Sequence, residues 1–92
     1  ERCELRCATV VRYVAWNRRG VEVRAEVPGG SAGFRAPRAI VTLPLGVLAA
    51  RPDDAAYVEF APPLRAKQPA FDGLATGPVV KLVLRFADAF WE

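Results

Sequence analysis

The run VEVRAEV at residues 21–27 alternates without a break. Val21, Val23, Ala25 and Val27 point one way, and Glu22, Arg24 and Glu26 point the other. A period of two is the pattern of a β-strand with one buried and one solvated face. Upstream, residues 10–16 (VVRYVAW) form a β-branched and aromatic run of strand length. It ends at NRRG, where Asn17 and Gly20 supply turn chemistry. Downstream, residues 28–33 (PGGSAG) read as a flexible loop with three glycines and the chain's only serine. A short strand near residues 34–36 is expected to return antiparallel. The opening half is therefore predicted to be a β-meander.

From Ala39 the chain reads AIVTLPLGVLAA. Ile40, Val41 and Thr42 are expected to form a strand buried on both faces, stopped by Pro44, which has no N–H to donate. LGVLAA reads as a helical turn or two. RPDDAAYVEFAPPL is a connector with a short extended piece at residues 57–60, halted by Pro62 and Pro63. Asp53 and Asp54 follow Arg51 and Pro52 in this polar stretch and read as a solvated helix cap. Leu64, Lys67, Phe71 and Leu74 have helical spacing. Pro69 fits that helix only in its first turn, and Gly73 and Gly77 fit its termination. The last predicted element is a strand within residues 76–91, TGPVVKLVLRFADAFW. In it Val80, Leu82, Leu84 and Phe86 share one face, and Val79, Lys81, Val83 and Arg85 the other.

With 92 residues, 52% of them apolar and 25% charged, the chain has material for one small core and no mark of disorder. Two tryptophans, two tyrosines and five phenylalanines are a heavy aromatic load for that size, and hint at burial against further protein. The net charge of +3 is spread along the chain without the basic stripe and interleaved aromatics of a nucleic-acid binder. The absence of histidine removes the commonest general base and metal ligand. Cys3 and Cys7 alone cannot complete a zinc site, and read as reduced thiols of a cytoplasmic protein. No apolar run approaches the ~18 residues of a membrane span. No Ser/His/Asp set, CxxC or phosphate loop is present. Lys81 is one of two lysines. By pattern alone it faces water on an amphipathic strand. Buried, it would need an acceptor or an ordered water, and would then be a functional candidate.

AIVTLPLGVL (residues 39–48), FAPPL (60–64) and K…AF..L..G…VVKLVLRF...FW (67–91), in that order and spacing, resemble the central part of the flavin-containing amine oxidases. That family includes monoamine oxidases, polyamine oxidases and lysine-specific histone demethylases. With the weaker TVVRYVAWNRRGVEV (9–23) upstream, the resemblance covers nearly the whole chain. It implies FAD as cofactor, a small amine and oxygen as substrates, and oxidation of a carbon–nitrogen bond by hydride transfer with hydrogen peroxide release. It further implies that Val11 offers its backbone to the FAD adenine. Thr42, Leu43 and Pro44 would run beside the cofactor, and Lys81 would hold a water against the flavin and be the catalytic position. Arg65 and Pro69 depart from the proline and alanine expected there.

The fold class implied is α+β: a β-meander and crossover strand of a Rossmann-like FAD-binding domain (residues 1–47), then a helix and strand of the substrate domain (48–92). The GxGxxG turn that grips a pyrophosphate is absent. The chain is therefore expected to be an internal fragment, inactive alone and completed by the rest of a parent chain. A related FAD-dependent desaturase or oxidase, or a standalone β-rich interaction module without catalysis, remains an alternative.

Overall fold

The computed structural model describes residues 3–90; the expected contribution of Trp91 lies outside them. Strand β1 (Val10–Asn17) and strand β2 (Gly20–Val27) pair antiparallel around a tight turn at Arg18 and Arg19. The Asn17 side-chain oxygen accepts the Arg19 backbone N–H at 2.7 Å, which closes the turn. Gly20 has φ 150°, and a Cβ there would stand 2.7 Å from the Ala36 carbonyl oxygen, so only glycine fits.

Strand β3 (Gly30–Ala36) pairs antiparallel with the full length of β2, from Val21 opposite Ala36 to Val27 opposite Gly30. The expected six-residue loop thus shrinks to Pro28 and Gly29, with Gly29 at φ 83°. The proline ring presets the first turn residue and glycine takes the positive φ of the second. Gly30, Ser31, Ala32 and Gly33 are already strand. Composition suggested a loop, but the partner strand continues opposite them and the ladder extends.

Strand β4 (Glu59–Ala61) pairs parallel to β1, with Tyr13, Val14 and Ala15 opposite Glu59, Phe60 and Ala61. The sheet order is β3-β2-β1-β4. A parallel pair requires a crossover. Here it carries helix α1 (Leu45–Leu48), the helical turn expected after Pro44. A 3-10 turn (Arg65–Lys67) then runs into helix α2 (Gln68–Gly73), which has Pro69 in its first turn as its missing N–H requires. The fold is α+β with a mixed four-stranded sheet.

Register sorts the two faces. Phe34, Val23, Val14 and Phe60 form one row across all four strands. Arg35, Glu22 and Ala15 form a row on the other face. The apolar face carries the core, where Val14 and Ala25 are buried, with Val58 just ahead of β4. The Arg6 guanidinium stacks 5.1 Å from the Phe34 ring centre at the outer end.

Three expectations are corrected. Residues 40–42 are not a strand: Ile40 is 91% exposed, and the segment runs irregularly between Pro37 and Pro44. Asp54 caps no helix. Its side-chain oxygen accepts the Ala56 N–H at 2.9 Å in a self-contained turn. The apolar run after Gly77 takes no regular secondary structure and joins no ladder. Val79 and Val80 are 88% and 87% exposed, and Lys81 is exposed between Val80 and Leu82. A strand needs a partner for its backbone groups as well as an apolar sequence. Among the described residues that partner does not exist. We refer to residues 74–90 as the arm.

Candidate functional site

Val11 lies on β1 opposite Ala25, one residue before a β-bulge. The bulge inserts Arg12: Val11 pairs with Ala25 and Tyr13 with Arg24, so two residues of β1 pass while β2 advances by one. Because β4 pairs only with Tyr13 to Ala15, β1 at Val10, Val11 and Arg12 has no strand on that side among the described residues. Arg12 occupies the gap. Its guanidinium donates to the Ala55 carbonyl and, at 3.1 Å, to the Glu26 carboxylate. It therefore ties β2, β1 and the turn ahead of β4 together.

Thr42, Leu43 and Pro44 form the irregular lead into α1. The Pro44 carbonyl accepts the Val47 and Leu48 N–H groups at 3.0 and 3.1 Å. Residues 39–43 make no backbone–backbone hydrogen bond among the described residues, and two of them, Ala39 and Val41, line a groove. That groove has a volume of about 490 Å³ and is lined by Trp16, Val41, Leu48, Phe60, Leu64 and Phe71, among others. The Trp16 indole N–H donates to the Pro62 carbonyl at 3.0 Å and holds the end of β1 against the chain leaving β4. This leaves an apolar slot with a polar backbone rim.

Lys81 lies on the arm, exposed and without a hydrogen bond or ion pair among the described residues. No ladder, hydrogen bond or ion pair joins Lys81, Val11 and Thr42–Leu43–Pro44 to one another. The five expected site residues therefore occupy three separate elements. Arg12 and the Trp16 slot went unremarked in the sequence. The signal for Arg12 is the same as for Lys81, a cation inside an apolar β-branched run.

The opposite, polar face holds a charge cluster. Glu22 receives Arg24 at 3.0 Å and Arg35 at 3.1 Å. The Arg24 hydrogen bond, then the charge of Arg35, lower the Glu22 pKa below the ordinary carboxylate value. Arg24 also stacks 5.1 Å from the Tyr13 ring centre. Cys3 and Cys7 are both free and exposed. Among the described residues no group of three or more His, Cys, Asp or Glu is placed to hold a metal ion. Among the described residues no helix is long and apolar enough to cross a membrane.

The chain belongs to the flavin-containing amine oxidoreductases, whose family model matches residues 1–92. It is thus of flavoprotein class, with FAD as the associated cofactor. Among curated proteins none matches the chain. The residues present fit such a group in their chemistry. A flat aromatic ring system suits an apolar slot such as the one lined by Trp16, Val41, Phe60 and Phe71, whereas Thr42, Leu43 and Pro44 do not line it.

Proposed function

We propose that this chain contributes to FAD-dependent oxidation of a carbon–nitrogen bond in a small amine, within a longer polypeptide. The observation that carries the proposal is the family match over the whole chain. When bound, FAD supplies hydride acceptance from the carbon beside the amine nitrogen, with reoxidation by oxygen releasing hydrogen peroxide.

Residues 1–47 belong to a Rossmann-like FAD-binding domain and residues 48–92 begin the substrate domain. The change of domain falls where the irregular crossover enters α1. The Val11 backbone meets the adenine at the β1 edge left without a strand. Thr42, Leu43 and Pro44 run beside the cofactor, a reading supported by the backbone of Thr42 and Leu43, which makes no backbone–backbone hydrogen bond among the described residues. Lys81 is the catalytic position. Its ammonium has three N–H donors and no partner of its own among the described residues, so it is free to hold a water at the reacting edge. Lys81 would orient that water against the flavin rather than abstract a proton itself. The arm's exposed apolar residues are covered by the rest of the parent chain.

The test is Lys81→Ala in the longer flavoprotein. Flavin absorbance should be normal, and anaerobic flavin reduction by the amine should slow by roughly 10²-fold or more, within the range of positioned acid–base and water-orienting groups. An unchanged reduction rate removes Lys81 from the mechanism.

A further inference from the structure

We propose that the apolar slot beside Trp16 is a binding site for a small aromatic carboxylate, with Lys67 as the residue that receives the anion. The inference concerns binding only and does not depend on the amine-oxidation reading.

Three observations carry it. First, the slot is assembled from distant parts of the chain. Trp16 comes from β1, Val41 from the crossover, Leu48 from α1, Phe60 from β4 and Phe71 from α2. Its volume of about 490 Å³ falls in the range of small-molecule sites. Second, three of its walls are aromatic: Trp16, Phe60 and Phe71. A flat ring packs against such walls face-on or edge-on and gains more than its buried area alone would give. Third, the slot has a single free polar side chain. Lys67 is its only charged lining residue, and among the described residues no carboxylate lines it. The Trp16 indole N–H is already spent on the Pro62 carbonyl at 3.0 Å. Lys67 makes no ion pair or side-chain hydrogen bond among the described residues. Asp72, the acid of the following helix, accepts from Gln68 at 2.9 Å instead. The lysine ammonium has three N–H donors and no acceptor. An apolar slot edged by one unpaired cation complements a ring that carries an anion and repels a ring that carries an ammonium.

The experiment titrates three naphthalenes of nearly one shape into the 92-residue chain: 2-naphthoate, 2-naphthalenemethanol and 2-naphthylmethylammonium. The Trp16 indole N–H resonance, told apart from that of Trp91 by Trp91→Phe, reads binding at the slot itself rather than at other exposed apolar surface. Naphthoate should bind about fivefold more tightly than the alcohol, and the ammonium most weakly. The preference is kept modest because Lys67 is exposed, and added salt should shrink it. Lys67→Gln should bring naphthoate to the affinity of the alcohol and leave the alcohol unchanged. Lys67→Glu should invert the order. Arg85→Gln, which removes a cation outside the slot, should keep the wild-type order.

A carboxylate preference that survives Lys67→Gln overturns the proposal, as does a wild type that takes the alcohol as tightly as naphthoate. Tighter binding of the ammonium also overturns it, and would make the slot a site for amines. An indole N–H that none of the three moves at millimolar concentration overturns it as well, because the slot is then closed in solution. Lys67 is exposed, so its variants should fold as wild type does. An unshifted Trp16 indole resonance in the free variants checks that the bond to Pro62 is intact.

Discussion

Gly20 and Glu22, two positions apart on β2, are held to their identities by different physics. At Gly20 the restriction is steric. The φ of 150° and the 2.7 Å approach of the Ala36 carbonyl leave no room for a methyl group, and a backbone carbonyl cannot rotate away as a side chain would. Gly20→Ala should destabilise by about 2 kcal/mol, read as a lower urea midpoint at unchanged slope. At Glu22 the restriction is electrostatic. Arg24 and Arg35 favour the charged carboxylate and lower its pKa on folding. A lowered folded-state pKa means that the stabilisation is present above the unfolded-state value. It is lost as pH falls through the lower folded-state value. Glu22→Gln should therefore be less stable than wild type at neutral pH. The two should converge in acid only below the lowered folded-state value, where the wild-type side chain becomes neutral too. Parallel urea curves at pH 7 and pH 3 check this. The side chain is half-buried and its partners are mostly exposed, so added salt should shrink the difference at neutral pH.

Among the elements, the meander was legible in the residues because local signals suffice for it. VEVRAEV states its own faces, and Asn17, Gly20, Pro28 and Gly29 state where the chain turns back. The parallel pairing of β4 was not legible, since only three residues take part and their partners lie some forty-five positions earlier in the chain. Nothing local in EFA specifies that choice. The runs at residues 40–42 and 79–86 were read as strands for a related reason. β-branched residues report a need for burial, but not whether a ladder neighbour exists. Val11, Thr42, Leu43, Pro44 and Lys81 are proposed as site residues only through resemblance, and no ladder, hydrogen bond or ion pair brings their elements together among the described residues. Trp16 helps compensate for the shortness of β4 by bonding to the Pro62 carbonyl at 3.0 Å. Trp16→Phe keeps most of the apolar contact with the slot and removes that donor. It should cost about 1 kcal/mol, with the loss visible in faster amide exchange at Phe60 and Ala61 before the β1–β2 ladder opens.

At the scale of the molecule, two quantities show that the chain buries little of itself. Its radius of gyration is 18.2 Å, against about 12 Å for a compact domain of this length. Its accessible surface is 8676 Å², against about 5200 Å² for a folded protein of 10.0 kDa. The buried apolar core comes down to Val14, Ala25 and Val58. Much of the excess surface is the arm, where Leu82, Val83 and Leu84 are 82%, 79% and 70% exposed. Among the described residues the arm makes no ladder with the sheet. It does present exposed apolar side chains from Val79 to Leu84 that stand outside any ladder, the combination that drives strands to pair between molecules. Ending the 92-residue chain after Leu74 should therefore leave the urea midpoint within about 0.5 kcal/mol of its value while lowering concentration-dependent association and dye binding to exposed apolar surface. Within the longer flavoprotein, the same arm should be essential. There a charged residue at Leu82 should lower the melting temperature and weaken flavin retention. A truncation that destabilises the isolated sheet by more than about 1 kcal/mol would mean that the arm packs against the sheet in solution and that its apolar face is already satisfied within this chain.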